Sequence, residues 1–330
     1  MRTVQFCELA TELNDEVRET SNERRIQAFF KDALLDYQQV AALLSRFLPP
    51  GEVSLSLDRT EWDFGQCQVN ILCITACVGK VGLPLYFEML DNKSGNSNYQ
   101  DRIDLLKQCV RLLGKARIAS VIMDREFIGH QWLTWLQKAE IPFCVRVPKH
   151  HTITLRNGET YQAEELMAHQ STRYFQNAIV DGVRVNVAIR RLANREMLYV
   201  IGTHFAKQLP HIYRKRWTIE VFFQSLKGRG FKLEGSHLRS LDKWKKLFAL
   251  VCIAFAICLS LGREFLDKTQ KVAIKKHGYP AKSTFRRGLD WFRQYLKGKH
   301  QADFDRLLQL FLRRVERTGA CDYQLINIIG

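Results

Sequence analysis

Apolar positions divide the chain by their spacing. Before residue 50 they recur at helical intervals: Ser21 is a candidate cap for a helix through Phe29, Leu34 and Leu35, and Val40 to Leu48 continues the period. Pro49-Pro50-Gly51 breaks it. Val53 to Leu57 then alternates strictly and ends at Asp58. Val69 to Val78 is apolar and rich in branched residues, Gly79 to Gly82 is a turn, and Leu83 to Leu90 is a further strand. Asn98 to Leu113 has helical spacing and stops at Gly114. Ile118 to Met123 is a short strand ending at Asp124, Phe127 to Ala139 a helix, and Pro142 to Val147 another strand.

The character changes over 148–205. Asn157-Gly158 and Asp181-Gly182 are hairpin turns, and strands are predicted at 172–180, 183–191 and 197–203. A long helix is predicted from Leu209 to Phe231, and the remainder is helical and basic. This order predicts an α/β fold with a mixed five-stranded sheet flanked by helices and a β-rich insertion before the last of the long helices. It is also the element order of the ribonuclease-H-like fold. The segments are an N-terminal helical region (1–50), a catalytic domain (51–147 and 206–262), the insertion (148–205) and a basic helical C-terminal region (263–330).

Charge changes the picture. Lys and Arg total 50 against 34 Asp and Glu, a net charge of +16 that a polyanion such as DNA would relieve. An anionic membrane is the competing partner. The longest apolar run, Leu247 to Leu261, is short for a membrane span of about 20 residues and is expected to be a buried helix. Glu8, Glu12, Asp15 and Glu16 stand where a secretory signal needs apolar residues. The nine cysteines are odd in number and form no CxxC pair, which fits reduced thiols in the cytoplasm and no zinc site.

Candidate chemistry lies at strand ends and on one helix. Carboxylates at strand ends, Asp58 and Asp124, can converge in a crevice, where a hard cation such as Mg²⁺ would offset their repulsion. On the predicted helix, Tyr213, Arg216, Glu220 and Lys227 fall within an arc of roughly 60° at ~100° per residue. Ile212, Ile219, Phe223 and Leu226 form the adjoining apolar stripe. Arg214, Lys215, Arg229, Lys232, Arg239, Lys243, Lys245 and Lys246 add a basic cluster read as a DNA channel.

The pattern Tyr213-x2-Arg216-x3-Glu220-x6-Lys227 resembles the signature of bacterial insertion-sequence transposases of the IS-4-like group, a branch of the DDE transposases. Leu57-Asp58-Arg-Thr60 with Trp62 is similar to the first motif of that group, and Val121 to Phe127, with Asp124-Arg-Glu-Phe, to its second. Asp91 to Ser97 resembles its stretch after the third strand, and Lys275 to Gly288, more loosely, its C-terminal segment.

The resemblance implies that Asp58, Asp124 and Glu220 are the catalytic residues and bind two Mg²⁺ ions, with Mn²⁺ substituting. It implies that Tyr213, Arg216 and Lys227 contact DNA phosphates; the basic cluster adds Arg214, Lys215 and Arg229 as DNA contacts, and Trp217, beside that helix face, is a further candidate. It further implies cut-and-paste transposition on double-stranded DNA by a homodimer assembled on that DNA, in a nucleoid-associated cytoplasmic protein with no membrane role. Residues 136–216 contain no Trp to stack an extruded base as some relatives do. Tyr161, Tyr174, Phe175 and Tyr199 are read as core residues instead. The alternatives are a ribonuclease-H-like nuclease or resolvase that does not join strands, and a decayed DNA-binding protein.

Overall fold

A computed structural model of the protein describes residues 4–13, 16–63, 68–90, 95–167, 171–228, 230–266, 272–276, 278 and 280–294. The chain divides into two compact units, one formed by Leu48–Lys245 and the other by Met1–Phe47 with Lys246–Gly330.

In the second of these, helices α1 (Phe6–Ala10), α2 (Glu19–Asp32) and α3 (Tyr37–Ser45) precede Phe47. Phe6 stacks on Phe30 with ring centroids 4.7 Å apart, and the Asn22 amide donates to the Ala10 carbonyl. Ser21 lies inside α2 and does not cap it; the helix ends at Asp32, which leaves Leu34 exposed. The cap falls one element later, where the Asp36 carboxylate accepts from the Gln38 and Gln39 amides and starts α3.

The Leu48–Lys245 unit is a mixed α/β structure. Its strands are β1 (Val53–Asp63), β2 (Gln68–Val78), β3 (Val81–Met89), β4 (Ile118–Met123), β5 (Phe143–Arg146), β6 (Thr152–Thr154), β7 (Thr160–Gln162), β8 (Thr172–Val180), β9 (Val183–Arg191) and β10 (Met197–Gly202). Its helices are α4 (Tyr99–Leu113), α5 (His130–Lys138), α6 (Leu209–Tyr213) and α7 (Trp217–Leu226). The expected mixed sheet is present, but it has ten strands where five were predicted, in the order β3-β2-β1-β4-β5-β10-β9-β8-β6-β7. The difference is a matter of edges. Strand β5 would expose a row of unpaired backbone groups. Instead β10 pairs with it antiparallel, Gly202 opposite Cys144 and Val200 opposite Arg146, so β6 to β10 prolong the sheet.

The predicted Asp181-Gly182 hairpin turn is present, for a physical reason. Asp181 and Gly182 both have positive φ (50° and 76°), the backbone twist that a two-residue hairpin between β8 and β9 requires.

Alternation assigns the two faces of the sheet. Ser54, Ser56 and Asp58 share one face of β1, and it carries the chain around Arg216: Lys215 donates to the Ser54 hydroxyl and Ser56 donates to the Arg216 carbonyl. On the opposite face the Trp132 indole of α5 donates to the Met123 sulfur.

The predicted helix from Leu209 to Phe231 is three pieces. Helix α6 tightens into a 3₁₀ turn at Arg214–Arg216, and α7 then ends at Leu226, with Lys227 extended. Here tertiary contacts override the helical period. Leu209 and Tyr213 belong to an apolar cluster with Ile122, Cys144, Ala188 and Val200, whereas α7 packs on β1, β2 and β3.

Downstream in the chain is α8 (Leu241–Ser260). It is followed by a π-helical turn, Leu261–Leu266, and later by α9 (Thr284–Gln294). The helix carrying the apolar run is longer than the run itself, against the expectation that it is short for a membrane span; the expected burial holds for Phe248, Cys252, Phe255 and Ala256, and Phe255 stacks on Phe285 at 4.7 Å. Leu241–Arg263 is long and apolar enough to cross a membrane, and 67% of its most apolar window is buried.

Gly202 marks the junction between β5 and β10. A Cβ there would collide with the Phe143 carbonyl oxygen and come within 2.8 Å of Leu209 Cδ2. Gly202→Ala is therefore expected to lower stability by about 1–3 kcal/mol, because backbone has to shift. Urea denaturation of the two proteins checks this.

Candidate active site

Asp58 and Asp124 are brought side by side by parallel pairing. The β1–β4 register ends at Leu57 opposite Met123, so the next residue on each strand is one of the two aspartates. Asp124 follows the last residue of β4, as expected. Asp58 does not end its strand: β1 runs on to Asp63, paired with β2, and Asp58 marks instead the point where β1 and β4 part.

Both carboxylates are held by the same device. The Arg59 amide donates to Asp58 Oδ1 at 2.8 Å, and the Arg125 amide donates to Asp124 Oδ1 at 2.8 Å. Asp124 Oδ1 also accepts from the Tyr213 hydroxyl at 3.0 Å. This leaves Oδ2 of each facing the same place. There Arg216 Nη1 lies 3.3 Å from Asp58 Oδ2 and 3.7 Å from Asp124 Oδ2, while its Nη2 pairs with Glu220 one turn along the helix. Three carboxylates therefore surround one guanidinium.

Helix α7 is seated closely enough to make this possible. A Cβ at Gly82 would meet Thr75 Oγ1 at 2.5 Å and the Thr218 carbonyl at 3.1 Å, and Thr218 itself donates to Cys77.

Burial dominates the electrostatics of Asp58. Desolvation pushes its carboxyl up to about 7, against the backbone hydrogen bond from Arg59 and the charge of Arg216, which pull it down. Glu126 and Asp124 add to the rise. Burial likewise raises the Tyr213 phenol well above its ordinary value, so it is a donor to Asp124 at neutral pH. Burial alone would lower Arg216, but Tyr213, Asp124, Glu220 and Asp58 hold it firmly charged.

Of the predicted DNA contacts, Lys227 lines an open cleft of about 430 Å³ together with Asp58 and Glu220. Its ammonium sits 5.2 Å from the centre of the Trp62 ring, which stacks in turn on Trp244. Trp217 is 56% exposed, and Arg214 is also exposed. Lys215 turns its ammonium onto Ser54, and Tyr213 and Arg216 are turned inward onto the carboxylates. Arg229 lies outside the described residues, as do Asp91 to Ser94 of the third motif. Tyr199 is buried, as read from the sequence, whereas Tyr174 is exposed.

Three further residues join the site, Arg59 and Glu126 from the motifs around the two aspartates and Arg102 from α4. Arg59 reaches both Asn70 at 3.2 Å and Glu126 at 3.4 Å, tying the residue after Asp58 to the turn after Asp124. Arg102, buried on α4, donates to the Ser97 hydroxyl and carbonyl and to the Glu126 carbonyl, and lies over the Phe127 ring at 4.9 Å. The adjacency of Arg59 and Glu126 to the two aspartates in sequence was the available signal; nothing marked Arg102 in its helix.

Among the described residues, no three acidic, His or Cys side chains stand together as a ready-made metal cage. The donor set nonetheless fits a hard divalent ion. The groups are all carboxylate oxygens, they converge on one cation, and an ion such as Mg²⁺ needs few protein ligands because it keeps waters and phosphate oxygens in its shell.

Residues 65–257 match the transposase DDE domain. The chain belongs to that family of transposases. The matched span contains Asp124 and Glu220 and starts just after Asp58. Members of the family generally use divalent metals. No curated protein matches the chain.

Solved structures with a similar trace include the piggyBac transposase synaptic complex with hairpin DNA, at 9% identity and TM-score 0.43, covering 85% of this chain and 57% of that one. Human ENDOV has 13% identity and TM-score 0.30 over 70% of this chain and 94% of its own. Endonuclease V of Bacillus subtilis has 10% identity and TM-score 0.26, over 73% and 97%. The chain thus spans little more than half the length of the piggyBac protein.

The raised carboxyl of Asp58 has a thermodynamic signature. Between its ordinary value of 3.8 and about 7, the folded protein holds a proton that the unfolded chain has lost. Stability must then fall as pH rises through that window and level off above it. In the presence of a chelator, Asp58→Asn is expected to melt a few degrees above the wild type at pH 8, with the gap closing towards pH 4. Melting curves across that range check it.

Proposed function

We propose that the protein is a Mg²⁺-dependent DNA transposase of the IS-4-like group, which cuts the ends of an insertion sequence and joins them to target DNA. The observation that carries this reading is the convergence of Asp58, Asp124 and Glu220 on one cation position, in a chain whose residues 65–257 match a transposase DDE domain. Family membership implies nuclease or transesterification chemistry. In this reading strands β1 to β5 are a ribonuclease-H-like core within 51–147 and 206–262, and 148–205 is its insertion.

Bound divalent ions would supply charge neutralisation at the scissile phosphate and an activated water. The chain's own groups do the rest. The Arg59 and Arg125 amides fix one oxygen of each aspartate, so the other is presented to the cleft in a set direction. The phenol of Tyr213 locks the rotation of Asp124. Lys227, steadied over Trp62, sits where it can pair with a phosphate beside Glu220. Exposed Arg214 and Trp217 extend that contact along the DNA.

Hydrolysis of the phosphodiester at the element's end frees a 3′-OH; that hydroxyl attacks a target phosphodiester and expels the target's own 3′-oxygen, one P–O bond replacing another, without a covalent enzyme intermediate. Two ends must be held together for a cut element to be reinserted, so the acting species is a homodimer assembled on DNA, whose charge offsets the +16 of each subunit.

Asp124→Asn and Glu220→Gln are each expected to lower cleavage and joining of end DNA by at least about a hundredfold, with DNA affinity little changed. Lys227→Ala is expected to weaken binding and to flatten its salt dependence by about one unit. Cleavage and joining assays with binding titrations at several salt concentrations test both. Cleavage persisting in Glu220→Gln would remove that residue from the site.

A further inference from the structure

The centre of the carboxylate cluster is already filled by a side chain. Arg216 keeps only 12% of its side-chain surface, and its two terminal nitrogens face Asp58, Asp124 and Glu220. Its carbonyl accepts from Ser56, which ties this point of the 3₁₀ turn to the sheet beneath. The guanidinium carries one positive charge and faces three carboxyl groups. Its contacts are not equally good: 3.3 Å to Asp58 is a hydrogen bond, whereas 3.7 Å to Asp124 is only an ion pair.

We infer that Arg216 is a placeholder cation, a positioning residue that holds the three carboxylates converged until a divalent ion displaces it. This rests on reading the carboxylates as the ion site. Without any cation, carboxylates this close would repel and separate. With Arg216 in place they stay gathered, which keeps the site assembled before the ion arrives. A divalent ion brings twice the charge and direct coordination, so it takes the oxygens that face inward. The released guanidinium then lies beside the cleft, with its charge free for a phosphate. Ion binding and the availability of Arg216 to DNA are therefore coupled.

Competition of this kind lowers the apparent ion affinity by the fraction of molecules whose carboxylates are engaged with the arginine. The test is Mn²⁺ alone, without DNA, titrated calorimetrically into wild type, Arg216→Gln, Arg216→Lys and Asp124→Asn. The placeholder predicts that Arg216→Gln binds the first Mn²⁺ roughly tenfold more tightly than wild type, with Arg216→Lys between them.

It also predicts that Arg216→Gln melts below wild type in chelator and that saturating Mn²⁺ closes the gap. An arginine with a merely structural role would lower the melting temperature equally with and without the ion. Equal or weaker Mn²⁺ binding in both arginine variants overturns the inference, provided that Asp124→Asn still weakens binding. If wild type and Asp124→Asn bind Mn²⁺ alike, the ion-site reading itself fails and the placeholder falls with it.

Discussion

Repulsion between neighbouring carboxylates is the constraint around which this unit is organised. Parallel pairing of β1 and β4 sets Asp58 and Asp124 side by side at the point where the two strands separate. Burial then disfavours the charge on Asp58 strongly enough to lift its carboxyl to about 7. Such an arrangement persists only if something supplies positive charge or hydrogen bonds to it. The structure does this in three ways: a backbone amide on one oxygen of each aspartate, the Tyr213 phenol on Asp124, and the Arg216 guanidinium between Asp58, Asp124 and Glu220.

Holding that arrangement rigid is the work of a wider set of contacts. Arg59 and Arg102 tie the turn after Asp124 to β1, β2 and the start of α4, through Glu126, Asn70 and Ser97. Helix α7 is kept close to β3 by the absence of a side chain at Gly82. On the other side of the site, α6 rests on a sheet that β6 to β10 have widened, since Ala188, Leu198 and Val200 of β9 and β10 share a cluster with Leu209 and Tyr213. Strands β9 and β10 therefore help to seat the tyrosine that donates to Asp124. Contacts from β1, β2, β3, β9 and β10 and from helices α4, α6 and α7 are thus gathered around a few carboxylate oxygens.

Much of this was legible from the residues themselves. The alternation before Asp58, the apolar strand before Asp124 and the Asp181-Gly182 hairpin all follow from local rules, because side-chain period and turn chemistry act over a few residues. The spacing of Tyr213, Arg216, Glu220 and Lys227 put these four on one predicted helix face, and the resemblance of that pattern to a known signature pointed to a transposase, the family whose domain residues 65–257 match.

Tertiary structure decided what spacing could not. The helix carrying the four residues breaks at Arg214–Arg216 because its two halves pack on different parts of the sheet, and a helical period cannot report where its partners lie. Ten strands share one sheet because the open edge of β5 found β10, a pairing between residues some 55 positions apart that no local pattern encodes. The arginine expected to face DNA instead faces inward, because the field of three carboxylates exists only once two strand ends and a helix have met. The sequence determined which chemical groups the protein has and most of the strands and helices that carry them. The charge at the centre of the site is a property of their meeting.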